Sequence, residues 1–266
     1  MHHATHLFKR ALMKIRLAQT KEEIFVAQRL RHDVFVAEGG AQRTNAHGID
    51  ADKYDDICAH LLVIEPDEAG ISPFKLSDGG LVGTSRLIGQ KQAEALGGFY
   101  SANEFDLTDL LKRKSDLKFL ELGRTCILKH ARGTAVMELL WQGIWNFVRA
   151  EGYDVMIGCA SFEGADPGLH AHALRFIAQH AKAPDDWYAK PLPALKVTLP
   201  PAPETPPDPK RILLNLPPLI KGYLRLGCYV GDGCVVDHAF NTVDVLIILR
   251  VKAINPRYFT RFGQPS

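Results

Sequence analysis

Apolar residues recur along the chain with either strand-like alternation or helical spacing. Residues 13–19, MKIRLAQ, alternate as a strand does. Thr20, with Glu23 three positions on, has the spacing of a capping box. The segment that follows, EEIFVAQRLRHDVFVAE (22–38), puts Ile24, Ala27, Leu30 and Val34 on one helical stripe. Arg31 and Phe35 are four apart and share a face near its end, where Gly39-Gly40 stops the helix. Residues 41–58 read as a polar loop. AHLLVIE (59–65) and GLVGTSRLIG (80–89) then read as strands joined through a turn-rich segment.

Residues 90–117 are mixed, with a short helix expected at EFDLTDLLK (104–112). FLELGRTCI (119–127) has the composition of a core strand. VMELLWQGIWNFVRAEG (136–152) is the strongest helical segment, apolar on more than one face. YDVMIGCASFEG (153–164) reads as a buried strand and GLHAHALRFIAQHA (168–181) as a helix. Residues 191–209, PLPALKVTLPPAPETPPDP, read as an extended connector. Beyond it stand a short helix, PPLIKGYLRLG, and a long strand, TVDVLIILRV. The stretch 210–266 is too small to fold alone, so it is expected to complete the domain before it. The pattern predicts one α+β domain over 1–266 with a mixed sheet and a flexible leader over 1–12.

Composition adds limits to this picture. The 266 residues are 46% hydrophobic with a formal net charge of +2, as in ordinary globular chains. No stretch reaches the roughly 20 apolar residues that span a bilayer. The beginning, MHHATHLFKRALMKIRL, lacks the apolar region of a signal peptide. The five cysteines include no C-x-x-C pair, which argues against a disulfide framework or structural zinc and points to a reducing, cytoplasmic setting. From Lys210 to Ser266 there are eight Lys and Arg against three Asp and no Glu. That end would attract an acidic partner, or it is a solvated basic face.

FLELGRTCI raises the chemical question, because Glu121 and Arg124 stand in a core strand. An unpaired buried ion costs several kcal/mol, so the two either pair with each other or line a site. After this strand, Gly133, Thr134 and Ala135 would expose backbone N–H groups at a helix N-terminus. Lys129, His130 and Arg132 add positive charge there. This is either an anion site or simple capping by small residues.

A strand with a bulge, a Q/R-x-x-G-x-G/A loop and a helix form the acyl-CoA pyrophosphate site of the GNAT N-acyltransferases. HARGTA resembles that loop, with His130 at the Q/R position. The set Arg31-x-x-x-Phe35, Asp52-Lys53-Tyr54-Asp55, GTSRL with Arg86, and ELGR with Arg124 is similar in order and spacing to acyl-homoserine-lactone synthases. The tryptophan those enzymes carry after R-x-x-x-F is missing here, where the chain reads AEGGAQR. GFYSANEFDL, LELGRTCI, MELLWQGI, MIGCASFEG, LPPLIKGYLRLG and FNTVDVLIIL resemble the blocks of the L-ornithine N-α-acyltransferases, haemolysin-like members of the same superfamily.

The resemblance implies a GNAT-like, mostly antiparallel sheet flanked by helices, with a β-bulge at the acyl-donor cleft, placed at Gly123. It implies transfer of a 3-hydroxyacyl group from acyl carrier protein to the α-amino group of L-ornithine, giving lyso-ornithine lipid. No metal and no permanently bound cofactor is expected, since the acyl group arrives on the carrier's phosphopantetheine. Glu121 would accept the amine proton, with Arg124 as its partner. Arg31 and Arg86 would hold the substrate carboxylate, and Asp52 and Asp55 its ammonium. The competing reading is that these arginines and aspartates form an internal salt-bridge cluster. Phe35 belongs to an acyl pocket or the core. Lys129, His130, Arg132, Gly133, Thr134 and Ala135 would meet the donor. The basic tail would dock the carrier protein or touch an anionic membrane at the inner face; nucleic acid is not expected. Rival readings are an acyl-homoserine-lactone synthase and a membrane-active haemolysin.

Overall fold

The computed structural model describes residues 12–42, 47–201, 207–255 and 258. The expected leader before Leu12, and Arg257 and Arg261 of the basic tail, lie outside the described residues. In chain order the elements are β1 (Lys14–Leu17), α1 (Lys21–His32), β2 (Ala59–Glu65), β3 (Lys75–Leu76), β4 (Gly79–Gly89), α2 (Gln90–Ala95), β5 (Phe105–Asp106) and α3 (Thr108–Arg113). They continue with β6 (Phe119–Ile127), α4 (Thr134–Glu151), β7 (Val155–Glu163), α5 (Ala171–His180), β8 (Lys190–Pro191), α6 (Pro209–Asn215), α7 (Pro218–Leu226), β9 (Tyr229–Val230), β10 (Val235–Asp237) and β11 (Thr242–Arg250). Among the described residues, no helix is long and apolar enough to cross a membrane.

The chain forms two compact units, one from residues 1–88 and 122–151, the other from 89–121 and 152–266. In the first unit, β1 runs antiparallel to β2 from Lys14↔Ile64 to Leu17↔Leu61. β2 runs antiparallel to β4, with a register shift between Val63 and Ile64. α4 packs on β1 and β2, and Gly143 explains how it comes so near. A Cβ there would stand 2.7 Å from Ile15 Cγ1 and 2.8 Å from Leu61 Cδ2. The interior is the expected apolar set, with Leu30, Leu61, Leu62, Val63 and Leu140 all fully or almost fully buried.

In the second unit, the first residues of β6 pair in parallel with β7, from Phe119↔Val155 to Glu121↔Ile157. β7 and β11 form a long antiparallel pair from Thr242↔Glu163 to Arg250↔Val155. α7 packs on both strands and ends at Gly227, whose φ of 83° closes the helix in the left-handed region.

Three elements depart from the sequence pattern. The helix expected over 22–38 is α-helical only to His32 and winds as a π-helix over Asp33–Glu38. Its apolar stripe is compatible with both windings, so periodicity alone does not reveal the change. The helix expected over 104–112 is instead β5 followed by α3, with Asp106 accepting from the Thr108 amide at 3.1 Å. The proline-rich stretch includes β8, which pairs with β5, so it is not wholly a connector.

Candidate active site

The loop 41–58 and three elements of the first unit converge on a ring of six charges. Arg31 reaches in from α1, Arg86 from β4 and Arg124 from β6; Asp50, Asp52 and Asp55 come from the loop. Arg31 donates to both oxygens of Asp55 at 2.9 Å, and its Nε lies 2.9 Å from Asp50 Oδ2. It also donates to the Asp50 carbonyl. Arg86 donates to Asp52 at 2.6 Å and to Asp55 at 3.3 Å. Arg124 donates to Asp50 at 3.0 Å and to Asp52 at 3.2 Å. Each carboxylate therefore bridges two guanidinia and each guanidinium two carboxylates.

The ring is formally neutral, and that is why six ions survive in a core. Adjacent opposite charges at about 4 Å attract by about 4 kcal/mol at an effective dielectric near 20. That attraction offsets the several kcal/mol each ion loses on leaving water. Burial alone would raise the carboxyl pKa values. At Asp52 the charge and hydrogen bond of Arg86, with Arg124, outweigh burial and leave it lowered. At Asp55 Arg31 and Arg86 do the same, and the result lies far below the usual carboxylate range. The local backbone shapes both: the Asp52 amide donates to Asp55 at 2.9 Å, and the Tyr54 amide donates to Asp52 at 2.9 Å. The ring opens toward solvent at one edge. The side chains of Asp52 and Arg124 are 9% and 8% exposed, against 1% for Arg31 and Arg86.

His60 stands beside the ring. Its Nε2 lies 3.0 Å from the Asp55 carbonyl, so Nε2 carries the proton and donates. Burial foremost, then Arg31 and Arg86, lower its pKa and keep the ring neutral. Asp55, Cys58 and His60 offer ligand atoms within 4.8 Å of one another. Two guanidinia already share that carboxylate, and burial pushes the Cys58 thiol up to about 12, so the charge there opposes a bound cation.

In the second unit, Glu121 is buried in β6 and its carboxylate is oriented from the turn after Phe99. The Tyr100 amide donates to Oε2 at 2.7 Å and the Ser101 amide to Oε1 at 2.7 Å; the Ser101 hydroxyl also donates to Oε1. Glu104 follows on the same turn and is buried. The Cys159 thiol donates to it at 3.2 Å, and these two with Asp244 of β11 bring ligand atoms within 4.8 Å. Burial chiefly, then Asp244, pushes the Glu104 carboxyl up to about 8. A carboxyl with that value exchanges a proton near neutral pH.

The loop before α4 is exposed. The Arg132 fork is held by both oxygens of Glu38, with Arg132 Nη2 at 2.8 Å from Oε2, and its Nε donates to the Ile127 carbonyl at 3.2 Å. His130 lies 3.3 Å from Glu65. At Gly133, a Cβ would meet nothing within 4 Å. Phe35 is half-buried on the π-helical turn.

The structure thus brings Arg31, Asp52, Asp55, Arg86 and Arg124 together and adds Asp50. Glu121 accepts from Tyr100 and Ser101, while Arg124 donates to Asp50 and Asp52. Glu104 and Asp244 escaped the sequence reading. Asp244 carries the same signal as Glu121, a lone acid in an apolar strand, in TVDVLIILR. At Gly123 a Cβ would also meet open space, and the backbone irregularity falls on Arg124, with φ at 51°.

An acetyltransferase (GNAT) domain model matches residues 30–142. An L-ornithine N(α)-acyltransferase of Brucella abortus (strain 2308) is 43% identical over 254 residues, spanning 94% of this chain and 89% of that protein. One of Rhizobium meliloti (strain 1021) is 44% identical over 256 residues, spanning 95% and 85%. Among solved structures, the AHL synthase LasI superposes with a TM-score of 0.50 at 14% identity, over 96% of each chain. FeeM, an N-acyl amino acid synthase from uncultured soil microbes, superposes with a TM-score of 0.51 at 10% identity, over 90% of this chain and 91% of that one. These superpositions establish a GNAT acyltransferase fold, with a mixed, mostly antiparallel sheet flanked by helices.

Proposed function

The chain belongs to the family of L-ornithine N(α)-acyltransferases, and from that premise we propose that it acylates the α-amino group of L-ornithine with a 3-hydroxyacyl group from acyl carrier protein. The product is a lyso-ornithine lipid. The observation that carries this reading is identity above 40% along more than nine-tenths of the chain. Its character as an N-acyltransferase rests on the family and on the matching acetyltransferase (GNAT) domain.

The chemistry assigns roles to the residues described above. In a ternary complex the amine attacks the thioester carbonyl; the new C–N bond forms, the C–S bond breaks, and the thiolate leaves to take up a proton. Glu121 accepts the amine proton, directly or through a water, and its two backbone donors fix the direction in which it does so. The open edge of the ring meets the charges of the acceptor: Asp52 faces an ammonium and Arg124 a carboxylate. Arg31, Arg86, Asp50 and Asp55 hold those two in place. Phe35 contributes to the acyl pocket.

The donor loop supports a carrier-bound acyl group. A pyrophosphate calls for several free donors, but the Arg132 fork is engaged by Glu38. The single phosphodiester of phosphopantetheine needs less, and Gly133, Thr134 and Ala135 supply backbone N–H groups with Lys129 and His130 nearby. The decisive experiment incubates purified protein with L-ornithine and 3-hydroxyacyl carrier protein and follows the amide by mass spectrometry. Glu121→Gln is expected to lower kcat at least 100-fold, and Asp52→Asn to raise KM for ornithine more than KM for the donor. Absence of an ornithine amide in the wild-type reaction would overturn the reading.

A further inference from the structure

We propose that α6 and the start of α7 form a docking surface for an anionic lipid bilayer, through which the enzyme meets the membrane that receives its product. The proposal rests on the reading above for its product, an acylated amino acid with one long chain. It rests on α6 itself for its place.

Residues Lys210, Leu213 and Leu214 are spaced i, i+3 and i+4, so they share one face of α6. Leu213 is 44% exposed and Leu214 73%. Ile212 and Leu216 take the other side, where Leu216 is buried and α6 packs on α5. The helix is thus fastened by its inner face, and Asp208 caps it by accepting from the Lys210 amide at 2.9 Å. Leu214 stands nearly three-quarters exposed on the outer face, with Leu213 partly exposed beside it. Other exposed large apolar residues among those described, such as Ile71 and Leu169, stand singly along the chain, whereas these two are adjacent. Single exposed leucines are ordinary; a paired patch beside cations is a surface feature that calls for an occupant.

Charge complementarity selects the occupant. From Lys210 to Gly231 the sequence has four cations, Lys210, Arg211, Lys221 and Arg225, and no Asp or Glu. Lys210, Arg211 and Arg225 are exposed. Lys221 reaches back to donate to the Leu214 carbonyl at 2.7 Å, which places its ammonium beside the exposed leucine. Two exposed leucines that share a short helix with Lys210 and Arg211, with Lys221 beside them, match the boundary between anionic headgroups and acyl chains. An acidic protein would satisfy the cations alone. A bilayer satisfies both, and it also dissolves the acyl chain of the product.

The test is co-sedimentation of the purified full chain, without substrates, with vesicles of phosphatidylglycerol and phosphatidylethanolamine, and with phosphatidylcholine vesicles as the uncharged control. Binding to the anionic vesicles only is expected. Each headgroup-facing cation contributes about fivefold, so the Lys210→Glu/Arg211→Glu double variant should bind at least about 25-fold more weakly. Leu213→Asn/Leu214→Asn should weaken binding further at high salt, where the electrostatic part is screened. Both variants should keep the wild-type melting temperature and turnover with carrier-bound donor in detergent solution. Wild-type protein that ignores anionic vesicles overturns the proposal, as do variants that bind them normally. Variants that lose turnover with carrier-bound donor but keep vesicle binding assign the patch to carrier protein and also overturn it. Vesicle binding by a chain that acylates no ornithine would leave this surface standing while the functional reading fell.

Discussion

Arg31→Met removes one corner of the charge ring and gives the most direct measure of what the ring does. The side chain is fully buried and makes two hydrogen bonds to Asp55, one to the Asp50 carbonyl and an ion pair with Asp50. Methionine keeps most of the volume, so the cost is electrostatic: Asp50 loses one guanidinium and keeps Arg124, and Asp55 loses one and keeps Arg86 with the Asp52 amide. Breaking one partner out of a buried ionic group costs about 3–5 kcal/mol. For a chain of this size that lowers the melting temperature by about 6–20 °C. The acid limb provides a second readout. Asp52 and Asp55 have lowered folded-state pKa values, so their stabilisation is present above the unfolded value of 3.8 and is lost as pH falls through the folded values. Arg31→Met raises the folded value of Asp55, which Arg31 holds down, and should flatten the stability profile below about pH 4. Urea unfolding at pH 7 and pH 3.5, monitored by circular dichroism, reads both. A loss under about 1 kcal/mol with kcat/KM down 100-fold would refute the reasoning, since Arg31 would then act on substrate and not on the frame.

Three further outcomes follow from individual sites. In Glu104 the carboxyl is raised from 4.5 to about 8, so the folded state holds a proton that the unfolded chain has released, and wild-type stability falls as pH rises across that window. Glu104→Gln should remove a decline on the order of 4 kcal/mol between pH 5 and pH 8; equal slopes in variant and wild type would contradict the assignment. Gly143→Ala should cost about 1–3 kcal/mol by pressing α4 off Ile15 and Leu61, measured by thermal unfolding, and a neutral result would mean the helix shifts freely. Lys129→Glu should slow transfer from acyl carrier protein about three- to tenfold at low salt while sparing an acyl-pantetheine donor; equal slowing with both donors removes that loop from the docking surface.

How legible each part was depended on whether burial leaves a period in the sequence. β2 and β6 begin and end where their apolar runs do, and α4 follows its helical run within two residues at the start and one at the end. The winding change after His32 left no mark, because one apolar stripe serves an α-helix and a π-helix alike. Asp50 was missed for a related reason. The loop holds Asp50, Asp52, Asp55 and Asp56, and with no regular backbone there is no period to tell which face inward. Only the arginines on α1, β4 and β6 select three of them. Glu104 is hidden because EFDLTDLLK reads as one helix from its first residue, whereas the run opens with β5.

Arg124 shows why the strand that posed the chemical question also resisted a simple answer. In an unbroken strand Glu121 and Arg124 point to opposite faces, and a bulge at Gly123 would bring them to one side. The positive φ in this strand is at Arg124, at 51°. A non-glycine residue pays about 1–2 kcal/mol to stand there. Glycine at 124 would avoid that strain but would leave Asp50 and Asp52 each short of a guanidinium. The larger ionic penalty decides the residue. The strain is therefore held by the ring: two aspartates fix the guanidinium, and the guanidinium fixes the backbone that turns it toward them. Glu121, three residues earlier in the same strand, accepts from the amides of Tyr100 and Ser101. Arg124 is held by aspartates of the ring, and the groups that hold Glu121 include the amides of Tyr100 and Ser101.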